Sequence, residues 1–293
     1  MQTNKIPTLL AGIDTIPTLP AIVGQVTATI ACPKSSARDL MEIIAPDQAL
    51  TLKILKIANS AFYGRVRRVG TLDQALMALG FDEVRNIVVS TAVFNSFRRL
   101  RATALFDPGK FWEHAFMCGL AGRIIAKKTD LSDGELFVAG LIHDIGKLAI
   151  CMVLPQEFDM VIQMSGSSNP ETSSAELQIL GITHAEIGAQ ILKRWMLPQD
   201  LIEAVGYHHR PAAAPVQTAY PIVTHLADLL AHNPTVMDAP DGGQHGDGWL
   251  TTDIIDLARS KGILKGYDTF NKFAEELEAQ KEAQAGTFEI FLS

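Results

Sequence analysis

The sequence contains few cysteines, namely Cys32, Cys118 and Cys151 in a chain of 293 residues. Their number is odd and no pair has the Cys-x-x-Cys spacing, so they predict neither a disulfide framework nor a thiolate metal site. The N-terminus has no apolar segment behind a basic start, and no uninterrupted apolar run reaches the ~18 residues of a membrane span. We therefore expect a cytoplasmic protein that is neither secreted nor inserted in a membrane.

A strong excess of either charge is also missing. The 25 lysines and arginines against 32 aspartates and glutamates give a formal net charge of −7. Such a balance argues against nucleic acid and against an anionic membrane surface as partners. With 47% hydrophobic and 19% charged residues, the composition is that of a globular protein and not of a disordered one.

Alternating strand patterns are essentially missing, whereas signals for helix starts are frequent. Three segments have the Ser/Thr-x-x-Glu/Gln pattern of a capping box, at residues 71–74, 132–135 and 183–186. Prolines at 108, 155 and 198 stand where the first turn of a helix tolerates them. The sequence therefore predicts an all-α fold, including one continuous helix over residues 133–152.

Two stretches divide the predicted helices into modules. A basic helix end gives way to a new helix start near residues 101–107, and residues 233–248 are rich in Gly and Asp. We therefore expect an N-terminal helical subdomain over residues 1–104 and a second helical subdomain over 105–232. Residues 233–293 are expected to form a loop followed by a C-terminal helical extension.

Ionisable residues in an apolar setting are the most informative feature of the second subdomain. His143 and Asp144 interrupt the most apolar stretch of the chain, and Lys147 follows them. Imidazole and carboxylate groups are costly to bury unless they are paired or coordinate a metal. Other candidate ligands lie on predicted helices of the same subdomain: His114, His184, His208, His209 and Asp228. Each histidine taken alone is more often structural than a ligand, and only the whole set favours a metal site.

The types of side chain in this set limit which metal ions they can bind. Imidazoles and carboxylates without thiolates suit divalent Fe, Mn, Zn, Ni or Co better than a structural zinc site. Two ions need about six protein ligands and a bridging water, and this set is large enough to supply them. We expect divalent metal ions, two in number, with Fe or Mn among the suitable elements.

The order of these histidines and aspartates resembles that of the HD superfamily of metal-dependent phosphohydrolases. The N-terminal module more specifically resembles the HDOD family, which is related to the HD superfamily. The matching motifs are Ile16–Pro20, Asp47–Thr51, Leu55–Gly64, Leu76–Gly80 and Val84–Val88. The run Ala58–Gly64, which reads Ala-Asn-Ser-Ala-Phe-Tyr-Gly, is highly specific. The resemblance covers about residues 14–232 and implies an N-terminal helical subdomain packed on an HD-like helical bundle.

The resemblance also implies roles for the candidate residues. One metal would be held by His114, His143, Asp144 and Asp228, and Asp144 would bridge to a second metal held by His184, His208 and His209. If such a site is catalytic, the resemblance implies metal-assisted hydrolysis of a phosphoester, with Asp144 and Lys147 as the catalytic residues and Lys147 neutralising a phosphate oxygen.

Two functions follow from the resemblance. HDOD proteins are mostly signalling output modules, so we expect a regulatory protein that binds divalent metal and acts through signalling protein partners. The alternative is an active metal-dependent phosphohydrolase with a nucleotide or cyclic-nucleotide phosphoester as its ligand. His209 is followed by Arg210 and Pro211 rather than by the Gly-Tyr-Pro signature of related phosphodiesterases, which argues against cyclic di-GMP as substrate. A scaffold without metal is a third interpretation.

Overall fold

A computed structural model describes residues 5–13, 16, 18–32, 34–64, 68–166, 169–216, 218–232 and 250–292. Within these ranges the regular structure is helical and no strand is formed, which confirms the all-α fold. The loop predicted at 233–248 lies outside the described residues.

The α-helices are α1 Ile6–Ile13, α2 Ala21–Ala31, α3 Ala37–Ile44, α4 Gln48–Ala58, α5 Leu72–Leu79, α6 Phe81–Phe97, α7 Pro108–Ala126, α8 Asp133–Ile142, α9 Ile145–Val153, α10 Pro155–Ser165, α11 Asn169–Ile179, α12 His184–Arg194, α13 Gln199–Tyr207, α14 Ala219–His232, α15 Thr252–Ser260 and α16 Tyr267–Leu292. A short 3-10 helix, Pro211–Ala213, precedes α14.

The chain divides into two compact units. The N-terminal unit consists of Thr18–Arg98 together with Ala279–Ser293, and the histidine unit consists of Met1–Pro17 together with Arg99–Glu278. The junction at Arg99 lies near the predicted boundary at residue 104, but the first and last segments are assigned differently from the three predicted domains. Local composition does not show which unit a terminal segment packs against, because that depends on contacts between distant parts of the chain.

The N-terminal unit is built around α6. Helices α2, α4 and α5 all pack against it, and α3 packs against α2 and α5. Every residue of α6 from Asn86 to Phe94 is buried. A helix surrounded on all sides has no solvent-facing polar stripe, which is why this segment shows no amphipathic pattern even though Asn86, Ser90 and Thr91 are polar.

The histidine unit is built around the pair α7 and α8, with α14 packed against both. Helix α12 packs against α9 and α13, so helices distant in sequence come together around the junction of α8 and α9. The approach of α7 and α8 is close, since a Cβ atom at Gly140 would lie 2.5 Å from the backbone oxygen of Cys118. The side chains of these helices are therefore held in a tightly packed frame.

The structure breaks the helix that the sequence predicts over residues 133–152. Helix α8 ends at Ile142, His143 is its C-cap, and α9 begins at Ile145 after Asp144. The backbone of Asp144, at φ −97° and ψ 13°, is not that of a helix interior. His143 and Asp144 thus lie in a turn, and Lys147 lies in the first turn of a new helix. Because both segments are highly apolar, the sequence pattern gives no signal for this helix break.

One stretch, Asp133–Val153, is long and apolar enough to cross a membrane by length and composition alone. Of its most apolar window, 83% is buried within the fold. Burial of this kind is typical of core helices in soluble proteins. The helix break within the stretch and the polar residues at that break also argue for a core segment.

The capping signals are confirmed to different degrees. Thr183 and Glu186 form a complete capping box at the start of α12, in which each side chain bonds the backbone N–H of the other. Thr71 accepts a hydrogen bond from the backbone of Gln74, and Ser132 from that of Glu135. The side chain of Gln74 accepts instead from the Gly70 backbone, so the reciprocal bond is not made there.

Gly146 lies where α9 meets α12. A Cβ atom at this position would lie 1.9 Å from the carbonyl oxygen of His184, which is backbone and cannot rotate away. Because His184 opens α12, this contact helps to set the position of the His184 side chain. Any side chain at 146 would force the two helices apart.

We therefore expect Gly146→Ala to lower the free energy of unfolding by about 1–3 kcal/mol, as overpacking typically does. Gly24→Ala is the matched control, because Gly24 is exposed in α2 and a Cβ atom there would meet nothing within 4 Å. The control should raise stability by about 0.5–1 kcal/mol through helix propensity. Urea unfolding followed by circular dichroism measures both, and an unchanged unfolding midpoint for Gly146→Ala would contradict the close approach.

Candidate metal centre

The predicted site residues come from four helices and from the turns that follow two others. His114 lies on α7, His143 and Asp144 lie in the turn between α8 and α9, and Lys147 is in α9. His184 is the first residue of α12, His208 and His209 follow α13, and Asp228 lies on α14. The fold brings these side chains into one region of the histidine unit, where all of them except Lys147 belong to one of two groups of possible metal ligands.

The first cluster consists of His114, Cys118, His143 and Asp228. One carboxylate oxygen of Asp228, Oδ1, lies 3.0 Å from Nε2 of His114 and 3.5 Å from Nε2 of His143. The Sγ atom of Cys118 lies 3.3 Å from the same nitrogen of His114. The four groups therefore present two nitrogens, an oxygen and a sulfur to a common space.

The second cluster consists of Asp144, His184, His208 and His209. The Nε2 atom of His184 lies 3.0 Å from Nε2 of His209 and 3.4 Å from Nε2 of His208. It also lies 3.1 Å from Oδ1 of Asp144. The ligand atoms within each cluster are no more than 4.8 Å apart, which is the spacing of atoms that share one metal ion.

Asp144 lies between the two clusters. Its Oδ1 faces His184, whereas its Oδ2 lies 3.4 Å from Nε2 of His143 in the first cluster. The same Oδ2 accepts a hydrogen bond of 2.6 Å from Nζ of Lys147. The two oxygens of one carboxylate thus point to different clusters, as a bridging ligand requires.

Backbone carbonyls orient two of the histidine rings. Nδ1 of His143 donates to the carbonyl oxygen of Gly140 at 2.8 Å, and Nδ1 of His208 donates to that of Val205 at 2.7 Å. Since a carbonyl oxygen only accepts, these partners place the proton on Nδ1 and leave Nε2 directed at the centre. Such outward hydrogen bonds are characteristic of histidines that bind metal.

A glutamate that the sequence analysis did not single out performs the same task for His184. The carboxylate of Glu176 is completely buried and lies 2.8 Å from Nδ1 of His184. The same side chain accepts a hydrogen bond of 2.8 Å from the backbone N–H of His184. Glu176 therefore fixes both the start of α12 and the orientation of the imidazole.

Burial and the two aspartates act in opposite directions on the ionisation of the centre. Burial disfavours the charged form of His143, but Asp144 and Asp228 outweigh it and raise the pKa of His143 to about 10. Burial favours protonation of Asp144, yet His143 and Lys147 hold its pKa well below the usual range. Burial lowers the pKa of His208 to about 4. The carboxylates thus remain charged and His208 is available as a neutral ligand, whereas His143 must release a proton when it binds a metal.

The arrangement fits a divalent metal. Nε2 of His143 and Oδ1 of Asp144 are buried and make no hydrogen bond to any group in the described part of the chain, although charged neighbours lie close. When neutral, His184 and His208 each direct the lone pair of Nε2 toward the other across 3.4 Å. A cation between these atoms would satisfy the lone pairs and the carboxylates together, and imidazole with carboxylate is a suitable donor set.

The structure adds residues that sequence reasoning missed or assigned elsewhere. Cys118 stands four residues after His114 and is expected in the core because free cysteines are usually buried; it is buried, and it also contacts His114 within the first cluster. His232, at the end of α14, lies 3.0 Å from Oδ1 of Asp228. The spacing of four between Asp228 and His232 puts both on one face of α14 and was the available signal.

Several side chains at the centre reach solvent. The exposed fraction of the side chain is 20% for His114, 13% for Lys147 and 41% for His232, whereas His143 and His184 are completely buried. The centre is therefore accessible from the side of these three residues, and its deeper ligands are protected.

The chain resembles known proteins in both sequence and fold. Residues 16–211 match the HDOD domain family, which is more than half of the chain. An uncharacterised protein of Treponema pallidum (strain Nichols) is 26% identical over 217 residues, covering 73% of this chain and 42% of that protein. The chain thus spans less than half the length of this curated relative.

Solved structures agree on the fold. An HDOD domain protein of unknown function from Geobacter sulfurreducens superposes with a TM-score of 0.76 at 23% identity, covering 99% of both chains. A candidate phosphohydrolase from Shewanella amazonensis SB2B gives 0.74 at 23% identity over 98% of both chains. A candidate signal transduction protein from Marinobacter aquaeolei VT8 gives 0.77 at 21% identity, over 99% of this chain and 66% of that one.

Identities of this size establish the fold alone, and the family match rests on the sequence itself. The motifs of the N-terminal unit, the helical architecture and the matched range agree with one another. The chain belongs to the HDOD domain family.

Proposed function

We propose that this protein is a regulatory protein that binds two divalent metal ions, one at each cluster, and transmits a signal by contacting a partner protein in the cytoplasm. The observation that carries the metal site is the convergence of the two clusters on Asp144, with buried ligand atoms that lack hydrogen-bond partners within the described ranges. Fe and Mn suit the ligands, since the donors are mainly imidazole and carboxylate.

The signalling role is supported by family membership and by the construction of the chain. One protein with the same fold is described as a candidate signal transduction protein. The chain has a second helical unit, the N-terminal unit, beside the unit that contains the clusters. None of the metal-binding candidates lie in this N-terminal unit, which leaves it available for contacts with a partner. A metal centre that stabilises one unit can control a signalling output without any turnover, because binding to the folded state alone shifts its population.

Lys147 supports a second candidate function, the hydrolysis of a phosphoester. Its ammonium group contacts the proposed bridging carboxylate and its side chain is partly exposed, so it can reach a phosphate oxygen near the centre. Divalent ions at such a site supply Lewis acidity and stabilise charge on the phosphoryl group. In this function Asp144 would orient Lys147, and the ammonium group would neutralise charge that develops on the substrate.

The proposed site fixes the metal content that the protein should have. Protein purified without chelators or a metal-affinity column should contain about two divalent ions per chain by elemental analysis. Asp144→Asn should lose both, because the weaker amide ligand replaces the carboxylate shared by the two clusters. Asp253→Asn is the matched control, since Asp253 is exposed in the first turn of α15 and should retain the metal. Metal-free wild-type protein would refute the proposal.

The orientation of His184 by Glu176 should affect metal affinity. Glu176→Gln should weaken metal binding by about 10–100-fold, since the amide cannot accept hydrogen bonds at both of its ends. Competition with a chromophoric chelator measures the affinity. Glu186→Gln alters the capping box at the same end of α12 without touching the ring, so it should change stability but not metal affinity. Equal metal affinity in wild type and Glu176→Gln would show that Glu176 is merely structural.

The two candidate functions differ in what Lys147→Met should do. If the centre is a hydrolase, wild-type protein should cleave bis-p-nitrophenyl phosphate, and the substitution should lower kcat by about 10²–10³-fold with metal retained. If the function is regulatory, neither protein turns the ester over. The rate of p-nitrophenol release, measured on samples of known metal content, therefore decides between the two functions. Metal-loaded protein without turnover favours the regulatory role.

A further inference from the structure

A cavity of about 320 Å³ lies within the N-terminal unit, apart from the metal clusters in sequence and in unit. Its walls come from the start of α2 and from one face each of α4 and α6. Apolar side chains including Ile22, Leu50 and Val88 line part of it. The volume and the mixture of apolar walls with a few polar groups are those of a small-molecule binding site.

Positive charge is concentrated around this cavity. Its lining includes Lys53 and Lys56 from α4 and Arg98 at the end of α6. Asp47 is the acidic side chain among the described lining residues, and its carboxylate already accepts from the backbone N–H of Leu50 as the N-cap of α4. On a chain of net charge −7, three cations at one cavity are a local reversal of sign.

The positive charges at the cavity repel one another. Burial, together with the positive charges of Arg98 and Lys56, lowers the pKa of Lys53 to about 8. Nζ of Lys53 donates to the backbone oxygen of Phe291 at 2.9 Å, which holds the ammonium group at the cavity wall. A carbonyl dipole offsets this charge only in part, so a full negative charge in the cavity would be attracted by all three groups.

Thr91 supplies an independent observation. It lies on α6, lines the cavity, and is 96% buried, with only 4% of its surface exposed. Its hydroxyl oxygen has no hydrogen-bond partner among the described residues. A buried hydroxyl without a partner is costly, and such groups in a native structure mark the place of a water, an ion or a ligand.

We propose that this cavity binds a small organic anion, whose carboxylate or phosphate group pairs with Lys53 and Arg98 and whose polar edge accepts from Thr91. The apolar body of the ligand lies against the aliphatic wall. The site lies wholly in the N-terminal unit and uses none of the metal-binding candidates, so it is separate from the proposed metal function and could supply the input that the regulatory role requires.

The test uses isothermal titration calorimetry on the full chain with three probes that share a naphthalene body. These are 2-naphthoate, naphthalene-2-phosphonate, whose C–P bond a phosphoesterase does not cleave, and the neutral 2-naphthol. At least one of the two anions should bind about tenfold or more tightly than the neutral probe, as a charge-assisted contact predicts. The tighter anion identifies the head group. Equal affinities for all three probes would overturn the proposal.

Variants locate the binding. Lys53→Met should weaken the preferred anion by about 10–100-fold, and Thr91→Val, which keeps the side-chain shape, by about 2–10-fold. Lys34→Met is the matched control, because Lys34 is also positively charged but is exposed and does not line the cavity. This variant should bind the anion with the affinity of the wild type. Circular dichroism establishes that each variant is folded. Anion binding that is unchanged in both cavity variants, or that falls equally in Lys34→Met, would place the anion elsewhere and refute the site.

Discussion

The burial of His143 and Asp144 is the constraint on which the histidine unit depends. Two aspartates and several imidazoles lie in a core where an isolated charge is strongly disfavoured, and their mutual contacts compensate for that cost only partly. The helices around them are arranged accordingly. Helix α8 ends at the buried pair, α12 begins with His184, and α13 ends just before His208, so helix ends rather than helix interiors deliver the deepest ligands.

Delivery from helix ends has a chemical advantage. Backbone groups at helix termini are not all used within the helix, and here the carbonyls of Gly140 and Val205 are free to accept from the imidazoles of His143 and His208. These contacts, with Glu176 behind His184, direct the Nε2 atoms of these three histidines inward. A preorganised set of this kind suits a regulatory metal centre as well as a catalytic one, since both need ligands fixed in advance.

Much of the site was accessible to sequence reasoning, because its residues are rare in apolar helices and their order matches a known superfamily. The all-α fold and the start of α12 followed from local capping and periodicity. The spacing of four from His114 placed Cys118 on the same helix face but did not separate a ligand from a core residue, and Glu176 gave no signal at all. Cysteine is common in cores, and a glutamate eight residues before His184 has no local signal for a contact that depends on how the chain turns between α11 and α12.

The sequence by itself determined the helical class, the family and the identity of most candidate ligands, since these depend on residue type, spacing and local capping. Tertiary structure decided the rest. The break at His143 and Asp144, the division of Asp144 between two clusters, the grouping of the chain ends and the cationic cavity beside Thr91 all arise from contacts between residues far apart in the chain. Periodicity describes which face a residue occupies on its own helix, whereas only packing determines what that face meets.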